Sequence, residues 1–550
     1  MAEVHTKRYP DQLIVISGQV GVGKSTLARG LEHSLQGHLV STRQLLQNIA
    51  TNRQVVLASE RRALQTFGET MDEESSGAWV ATEVTSSLDA LPGMPTYVVV
   101  DAIRTHAQLQ ALRESFPIPV THIHLTAPVE TLDLRYDKRE SHLFAELSSY
   151  GDLALNATEA SVPELGRSAD VVIDTSRCSA GDVLSRAVAT LRQGPSRHER
   201  LVDVYVGGQY GSEGKGNIAF HLAGEYDILV RVGGPNAGHK VPTQPPYTHR
   251  SLPSGSLANK RALLLIGPGA TVSPQLLLDE IEHCGIDPER LSIDPRVMII
   301  ESADIEEEQG LVASIGSTGK GGGAAAARRI MGRHEGGKTP VRQAKDVPEL
   351  AIYVRDTSAI LERAYRTSQK IMLEGTQGTL LSILHGFYPW VTSRDTTAAA
   401  CLSEAGIGIH RVRRVIMVVR TYPTRVGNPP KSTSGQMSQE IDWDVIADRS
   451  GLDEKTLRMN EKGSVSGSKR WVAEFDWALL RKAAELNGAT DIALTFADYL
   501  DAKNSDAVRY DQLTPDTTQF IEEVGRVASA PVTLIATGFS NRALIDRRKW

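Results

Sequence analysis

Twice along this chain a run of strand-forming residues ends in a glycine-rich loop that carries a lysine and opens into a helical pattern. The first run, 13–16, leads into Gly18, Gly21, Gly23, Lys24, Ser25 and Thr26 within GQVGVGKST. The second, DVYV, leads into GGQYGSEGKG over 207–216. A strand that passes through a tight loop into a helix needs a sheet for that helix to pack back on, which restricts the chain to layered α/β architecture. Two such starts, in a chain of 550 residues, predict two units, since single cores stop growing at roughly 250–300 residues.

The rest of the pattern agrees. Apolar β-branched runs at 96–101, 120–125 and 169–174 alternate with helix-length polar segments, as in a parallel sheet. The charged, Gly-Pro-broken stretch RQGPSRHER reads as a linker. Further runs at 262–266, 297–300, 370–373, 415–419 and 492–494 give the second unit its strands. The expected organisation is a P-loop unit over 1–193, a linker over 194–200 and a second α/β unit over 201–550.

A formal charge of −6 offers no basic excess for a nucleic-acid backbone, so any nucleotide bound is expected to be free. No apolar run is long enough for a membrane span, and the start MAEVHTKRYPDQ lacks a signal-like apolar region. Cys178, Cys284 and Cys401 are scattered and odd in number, which argues against a disulfide framework and fits a reducing cytoplasm.

GQVGVGKS fits GxxxxGK[ST] between strand and helix. Its glycines let backbone N–H groups curl around a phosphate, Lys24 adds charge, and the Ser25 hydroxyl is a ligand for Mg²⁺. Asp101, ending the apolar run YVVVD, is positioned to meet a metal or an acceptor. Arg135, Lys138 and Arg139 in RYDKRE are candidates for transferred phosphate, or a solvated helix face. With STRQLLQ and VVDAIRTHAQLQALR, residues 11–193 resemble small kinases of the nucleoside monophosphate kinase type. The resemblance makes Arg43, Arg62 and Arg104 candidates for an acceptor's phosphate and leaves the acceptor open.

In the second unit GGQYGSEGKG is followed by RVGGPNAGHKV, STGKGGGAAAARR, EGTQGTLLSILHGFYPWVTSRDTT, RTYPTRVG and GSVSGSKR. In order and approximate spacing these resemble adenylosuccinate synthetase over 201–550. The resemblance implies a ligase in which a triphosphate's γ-phosphate moves to purine O6 and the amine of L-aspartate then displaces phosphate at C6. It implies His239 as the catalytic histidine, Lys215 as the phosphate-neutralising lysine within Gly214, Lys215 and Gly216, and Gly238 as a carbonyl ligand for Mg²⁺. Asn236, Thr318, Gln377 and Thr392 match positions around the purine nucleotide, with Gln377 also in the catalytic set. Arg328 matches an arginine donated across a dimer interface, so a homodimer or higher homo-oligomer is implied. Glu374 reads as turn architecture without assigned chemistry.

The pattern departs from the family in three places. The family's GDEGKG has a catalytic aspartate where this chain has Ser212, and a neutral hydroxyl is no base near neutral pH. Serine is smaller, and it can accept a hydrogen bond from a purine 2-amino group. GSEGKGN resembles a phage branch of the family that converts dGMP to 2-amino-deoxyadenylosuccinate. The family's aspartate loop, TTGR plus a further arginine, is here Val465, Ser466, Gly467, Ser468 and then Arg470. The guanine-reading TKxD is Thr495, Phe496, Ala497 and Asp498, with Thr537 and Gly538 further along the donor side. The donor is thus GTP or ATP, dATP included.

The leading expectation is a (d)GMP–aspartate ligase fused to a nucleotide kinase. Two other readings stay open: an ordinary synthetase acting on IMP with GTP, and a nucleotide-sensing regulatory ATPase whose synthetase-like half does not turn over.

Overall fold

The computed structural model describes residues 9–55, 61–137, 157–191, 199–333, 341–426, 435–463, 467, 469–540 and 542–548. The chain divides into two compact units, Met1–Gln193 and Gly194–Trp550.

The first unit is a sheet of β1 (Gln12–Gly18), β2 (His38–Ser41), β3 (Tyr97–Asp101), β4 (Val120–Thr126) and β5 (Val171–Asp174). Its strand order is β2-β3-β1-β4-β5, parallel throughout. Leu13 and Val15 pack with Trp79 and Leu109 on one face. Ile14 and Ile16 pack with Leu27 and Leu31 of α1 (Lys24–Leu35) on the other. Burial on both faces explains why β1 reads as continuously apolar instead of alternating. At the end of β1, Gly18 has φ 141° and a Cβ would lie 2.4 Å from the Leu125 carbonyl oxygen, so only glycine fits that turn.

The second unit's main sheet contains β6 (Val202–Gly207), β7 (Ile228–Arg231), β8 (Leu263–Ile266), β9 (Leu291–Ile293), β10 (Ile371–Glu374), β11 (Val412–Arg420), β12 (Asp491–Thr495), β13 (Val532–Ala536) and β14 (Leu544–Asp546). Their order is β9-β8-β7-β10-β6-β11-β12-β13-β14, with only β14 antiparallel to its neighbour. Val202, Val204 and Val206 face one core, while Tyr205, Ile416 and Val418 face the other. The run at 297–300 is not in this sheet: Met298–Ile299 pairs with Thr271–Val272 as a separate two-stranded ribbon. A small antiparallel sheet sets Val426 opposite Arg470 and so carries the RTYPTRVG segment to that arginine. Among the described residues no helix is long and apolar enough to cross a membrane.

Candidate active site

The carboxyl ends of β6, β7, β10, β11, β12 and β13 are where the second unit's motifs begin, and ligands of open parallel sheets bind at such ends. GGQYGSEGKG leaves β6, NAGH follows β7, Gln377 follows β10, Thr424 follows β11, and Asp498 follows β12. Two cavities open there. One, of about 170 Å³, is lined by Ser212, Asn236, Thr318, Gln377, Thr392 and Arg470 among others. The second, of about 790 Å³, is lined by Gly214, Lys215, Gly216, His239, Asp498 and Gly538 among others. Gly211, Ser212, Gly238, Gly463 and Arg470 line both, so the cavities meet at Ser212. Two ligands in these cavities have a shared wall across which a group can pass.

His239 is buried, with Nδ1 hydrogen-bonded to a carboxylate oxygen of Glu374 and Nε2 without a protein partner. Burial, with Arg231 beside it, pushes the imidazole down to about 4 against the pull of Glu374. Burial opposes ionisation of Glu374 in turn, yet His239 and Arg231 hold it at about 2. A neutral imidazole with Nδ1–H on Glu374 directs its Nε2 lone pair outward. Glu374 is therefore no mere turn residue. It ends β10, also accepts the Ser254 backbone N–H at 2.8 Å, and fixes the histidine. Gly216 is required beside it, since a Cβ there would lie 2.7 Å from the His239 Cβ.

Lys215 begins a helix, Lys215–Leu222, capped by Gly214 at φ 84°. Its ammonium donates to Glu213 at 2.7 Å, and both side chains are buried. Glu213 also accepts the N–H groups of Gln209 at 3.0 Å and Gly211 at 2.8 Å, which shapes the loop. Helix start and lysine together make an anion site.

Ser212 Oγ shares a 2.5 Å hydrogen bond with Thr424 Oγ1 and donates to the Thr424 carbonyl at 3.2 Å. Among the described residues no carboxylate or imidazole hydrogen-bonds this hydroxyl to draw off its proton. Gln377 Nε2 donates to Thr392 Oγ1 at 2.6 Å, while its Oε1 is buried without a protein partner.

Arg470 donates to Glu461 at 2.7 Å, as does Arg420, and the Tyr499 hydroxyl donates to the same carboxylate at 2.9 Å. Although burial opposes ionisation, Arg420 and Arg470 pull Glu461 down to about 2. Arg470 thus reaches the shared wall already oriented. Asp498 lines the larger cavity with Phe496 and Tyr499. Thr537 does not line it and instead donates to the Ala507 carbonyl at 2.8 Å.

Arg328 is not brought to the smaller cavity in the single chain: it pairs with Asp304 at 2.7 Å and donates to the Ile299 carbonyl at 2.8 Å. Val465, Ser466, Ser468, Lys138 and Arg139 lie outside the described residues, as does the Arg62 side chain.

In the first unit a cavity of about 470 Å³ is lined by Gly21, Gly23, Lys24, Ser25, Thr26, Arg43, Asp101 and Arg104 among others. Lys24 donates to the carbonyls of Gly18 at 2.6 Å and Gln19 at 2.8 Å, so its ammonium sits over the loop. Arg104 is ion-paired with Glu159. Arg135 lies apart, donating to the Thr175 carbonyl at 2.8 Å and its hydroxyl at 2.9 Å.

Sequence reasoning missed Glu374, Glu213, Thr424 and Glu461. Glu374 carried a signal: a charged residue ends the buried run IMLE, as Asp101 ends YVVVD. The others had none.

A phosphate-cradling helix start, a buried histidine and two adjoining cavities fit a nucleotide-dependent phosphoryl-transfer enzyme, with a separate P-loop kinase-like unit before it. Comparison with known proteins narrows the class. The adenylosuccinate synthetase family profile matches residues 204–338 and 338–508, and an AAA domain profile matches 14–144. Adenylosuccinate synthetase of Archaeoglobus fulgidus is 38% identical over 353 residues, covering 63% of this chain and 98% of the relative. The fully ligated adenylosuccinate synthetase of Plasmodium falciparum shares the fold with a TM-score of 0.55 at 19% identity, over 64% of this chain and 100% of that one. The cyanophage S-2L succinoaminodeoxyadenylate synthetase, solved with dGMP and dATP as an energy donor, matches with a TM-score of 0.53 at 25% identity, over 64% of this chain and 96% of its own. The chain belongs to the adenylosuccinate synthetase family, as a ligase of that type.

Proposed function

We infer that the second unit joins L-aspartate to C6 of a guanine nucleotide, GMP or dGMP, forming 2-amino-(deoxy)adenylosuccinate. The observation that carries this reading is Ser212 at the meeting of the two cavities, its hydroxyl bonded to Thr424 and its environment without a carboxylate partner. With its proton on the Thr424 carbonyl, Ser212 Oγ keeps lone pairs that can accept the guanine 2-amino N–H. A purine lacking that amino group leaves the hydroxyl without this partner. The complex of the cyanophage relative with dGMP and dATP supports the same assignment.

The smaller cavity takes the nucleoside monophosphate and the larger one a triphosphate, GTP or ATP. The γ-phosphate passes to purine O6 past His239, whose neutral Nε2 can take up the proton released from purine N1 as O6 attacks, while Glu374 holds the ring. Lys215 and the helix start offset the phosphate charge. Arg470 pairs with the aspartate carboxylate, and the amine attacks C6 as the C6–O bond breaks and phosphate leaves. Glu213 is committed to Lys215 and the loop amides, so the residues fit a Mg²⁺ carried chiefly by the triphosphate, with the Gly238 carbonyl as protein ligand. When bound, that ion supplies further neutralisation of phosphate charge.

The first unit is read as a nucleotide kinase with a Mg²⁺-triphosphate on Lys24, Ser25 and Thr26, and the acceptor's phosphate toward Arg43 and Arg104. The protein is read as a homodimer in which Arg328 exchanges its intrachain pairing for the partner's site.

The test is product mass with Mg²⁺, L-aspartate, ATP and GTP, and IMP, GMP or dGMP in separate reactions. Adduct from dGMP or GMP and none from IMP is the expected result. Adduct from IMP alone would sink the Ser212 argument and restore the ordinary synthetase reading.

A further inference from the structure

Among the described residues the smaller cavity is lined by two cations, Arg425 and Arg470, and by no carboxylate. Arg470 is already paired with Glu461 at 2.7 Å. Arg425 has no such partner. It is buried, its Nη2 donates to the Trp390 carbonyl at 2.9 Å, and its Nε and Nη1 are buried without a hydrogen-bond acceptor. The Tyr210 ring, 4.5 Å from the guanidinium, gives the charge a π face but leaves those two nitrogens unsatisfied. By contrast Arg231, Arg394 and Arg420, also held inside the unit, each have a carboxylate: Glu374, Glu404 and Glu461. A buried guanidinium without an anion is costly, and an anionic ligand relieves that cost.

We propose that Arg425 binds the 5′-phosphate of the nucleoside monophosphate and so anchors the end of the substrate remote from the reacting C6. Direction decides between the anions available. In the small antiparallel sheet Arg425 stands opposite Trp471, and Val426 opposite Arg470. Successive residues of a strand face opposite sides, so Arg425 points away from the side that carries Thr424 and Arg470. It lines the smaller cavity only, whereas Ser212 and Arg470 line both. Purine O6 has to lie at the shared wall to receive a phosphoryl group from the larger cavity, and the aspartate that attacks C6 belongs there too, with Arg470. The 5′-phosphate is at the other end of the nucleotide, beyond the sugar. A dianion placed there meets a guanidinium with unused N–H donors, a charge-assisted pairing.

This rests on the smaller cavity being the monophosphate side, as proposed above, and not on which base it takes. The full chain is assayed by product mass with Mg²⁺, L-aspartate, ATP and GTP. The KM for dGMP is compared with the inhibition constant of deoxyguanosine, which lacks the phosphate; IMP and inosine replace them if IMP is the nucleotide that reacts. In Arg425→Gln the KM for the monophosphate should rise about 10- to 100-fold while the nucleoside's constant holds, so the advantage of the phosphorylated form shrinks by that factor. The KM values for aspartate and for the triphosphate should be unaltered. Arg425→Lys keeps the charge without the planar fork and should lose less. Equal losses for monophosphate and nucleoside would make Arg425 a purely structural residue, and a rise confined to the aspartate KM would assign it to a carboxylate; either result overturns the proposal. If Arg425→Gln does not fold, Arg425→Lys carries the same comparison, and an unaltered ratio there overturns it as well. Turnover of IMP and not dGMP would remove the guanine reading and leave the phosphate site standing, whereas no turnover of either would remove the cavity assignment beneath both.

Discussion

Ser212 and Glu374 illustrate how much one side chain decides in this site. The Ser212 hydroxyl is held by Thr424, so restoring a carboxylate changes both the charge and the room at the shared wall. Ser212→Asp is expected to lower kcat/KM for dGMP by at least ~10²-fold and to raise IMP use, measured by mass-resolved product formation. Glu374 has the opposite character, acting on a neighbour and not on the substrate. Glu374→Gln keeps its shape but removes the charge that orients His239, and kcat should fall on the order of 10²-fold with KM little changed. A comparable loss confined to KM would argue that Glu374 only shapes the cavity. Arg470 presents a planar fork preset by Glu461, so Arg470→Lys should raise the KM for aspartate ~10- to 100-fold in steady-state kinetics.

At the scale of an element, β4 stores an acid sensitivity within the first sheet. His122 and His124 point to the same side, and both hydrogen-bond Ser17 Oγ of β1, at 2.6 and 2.8 Å. Burial, then the neighbouring His124, lowers His122 from 6.5 to about 4, and burial lowers His124 as well. The folded state therefore holds these rings neutral while the unfolded chain protonates them. The stability so contributed is complete above about pH 6.5 and is lost as pH falls toward 4, by about 3 kcal/mol for His122. Hydrogen exchange of peptides covering β1 and β4, corrected for intrinsic rate, should show protection falling through that window. His122→Gln should flatten the dependence, and an unchanged profile would place the acid sensitivity elsewhere.

For the molecule as a whole, each unit has its own sheet, core and phosphate loop. Lys24 and Lys215 should thus be separable. Lys24→Ala is expected to leave aspartate-dependent phosphate release in place, whereas Lys215→Ala abolishes it in a coupled phosphate assay. Release that does not require aspartate, or that survives loss of Lys215, would favour the regulatory ATPase reading over a ligase.

What the sequence determined by itself was the α/β architecture, the two phosphate loops and their lysines, and the group of motifs around His239. These depend on local patterns: strand-forming runs, glycines where no Cβ fits, and a lysine at a helix start. Short or partly exposed strands such as His38–Ser41 left too little periodicity to be read, and 297–300 looked like a sheet strand but pairs elsewhere. The tertiary structure alone decided which polar groups meet. Glu374 reaches His239 across 135 positions of sequence and Thr424 reaches Ser212 across 212, and Arg420 and Arg470 converge on Glu461. Neighbouring strands of a parallel sheet bring distant segments to one crevice, and burial there sets the charge of His239 and Glu374. Protonation follows from desolvation and from neighbours in space, and neither is written in the order of the residues.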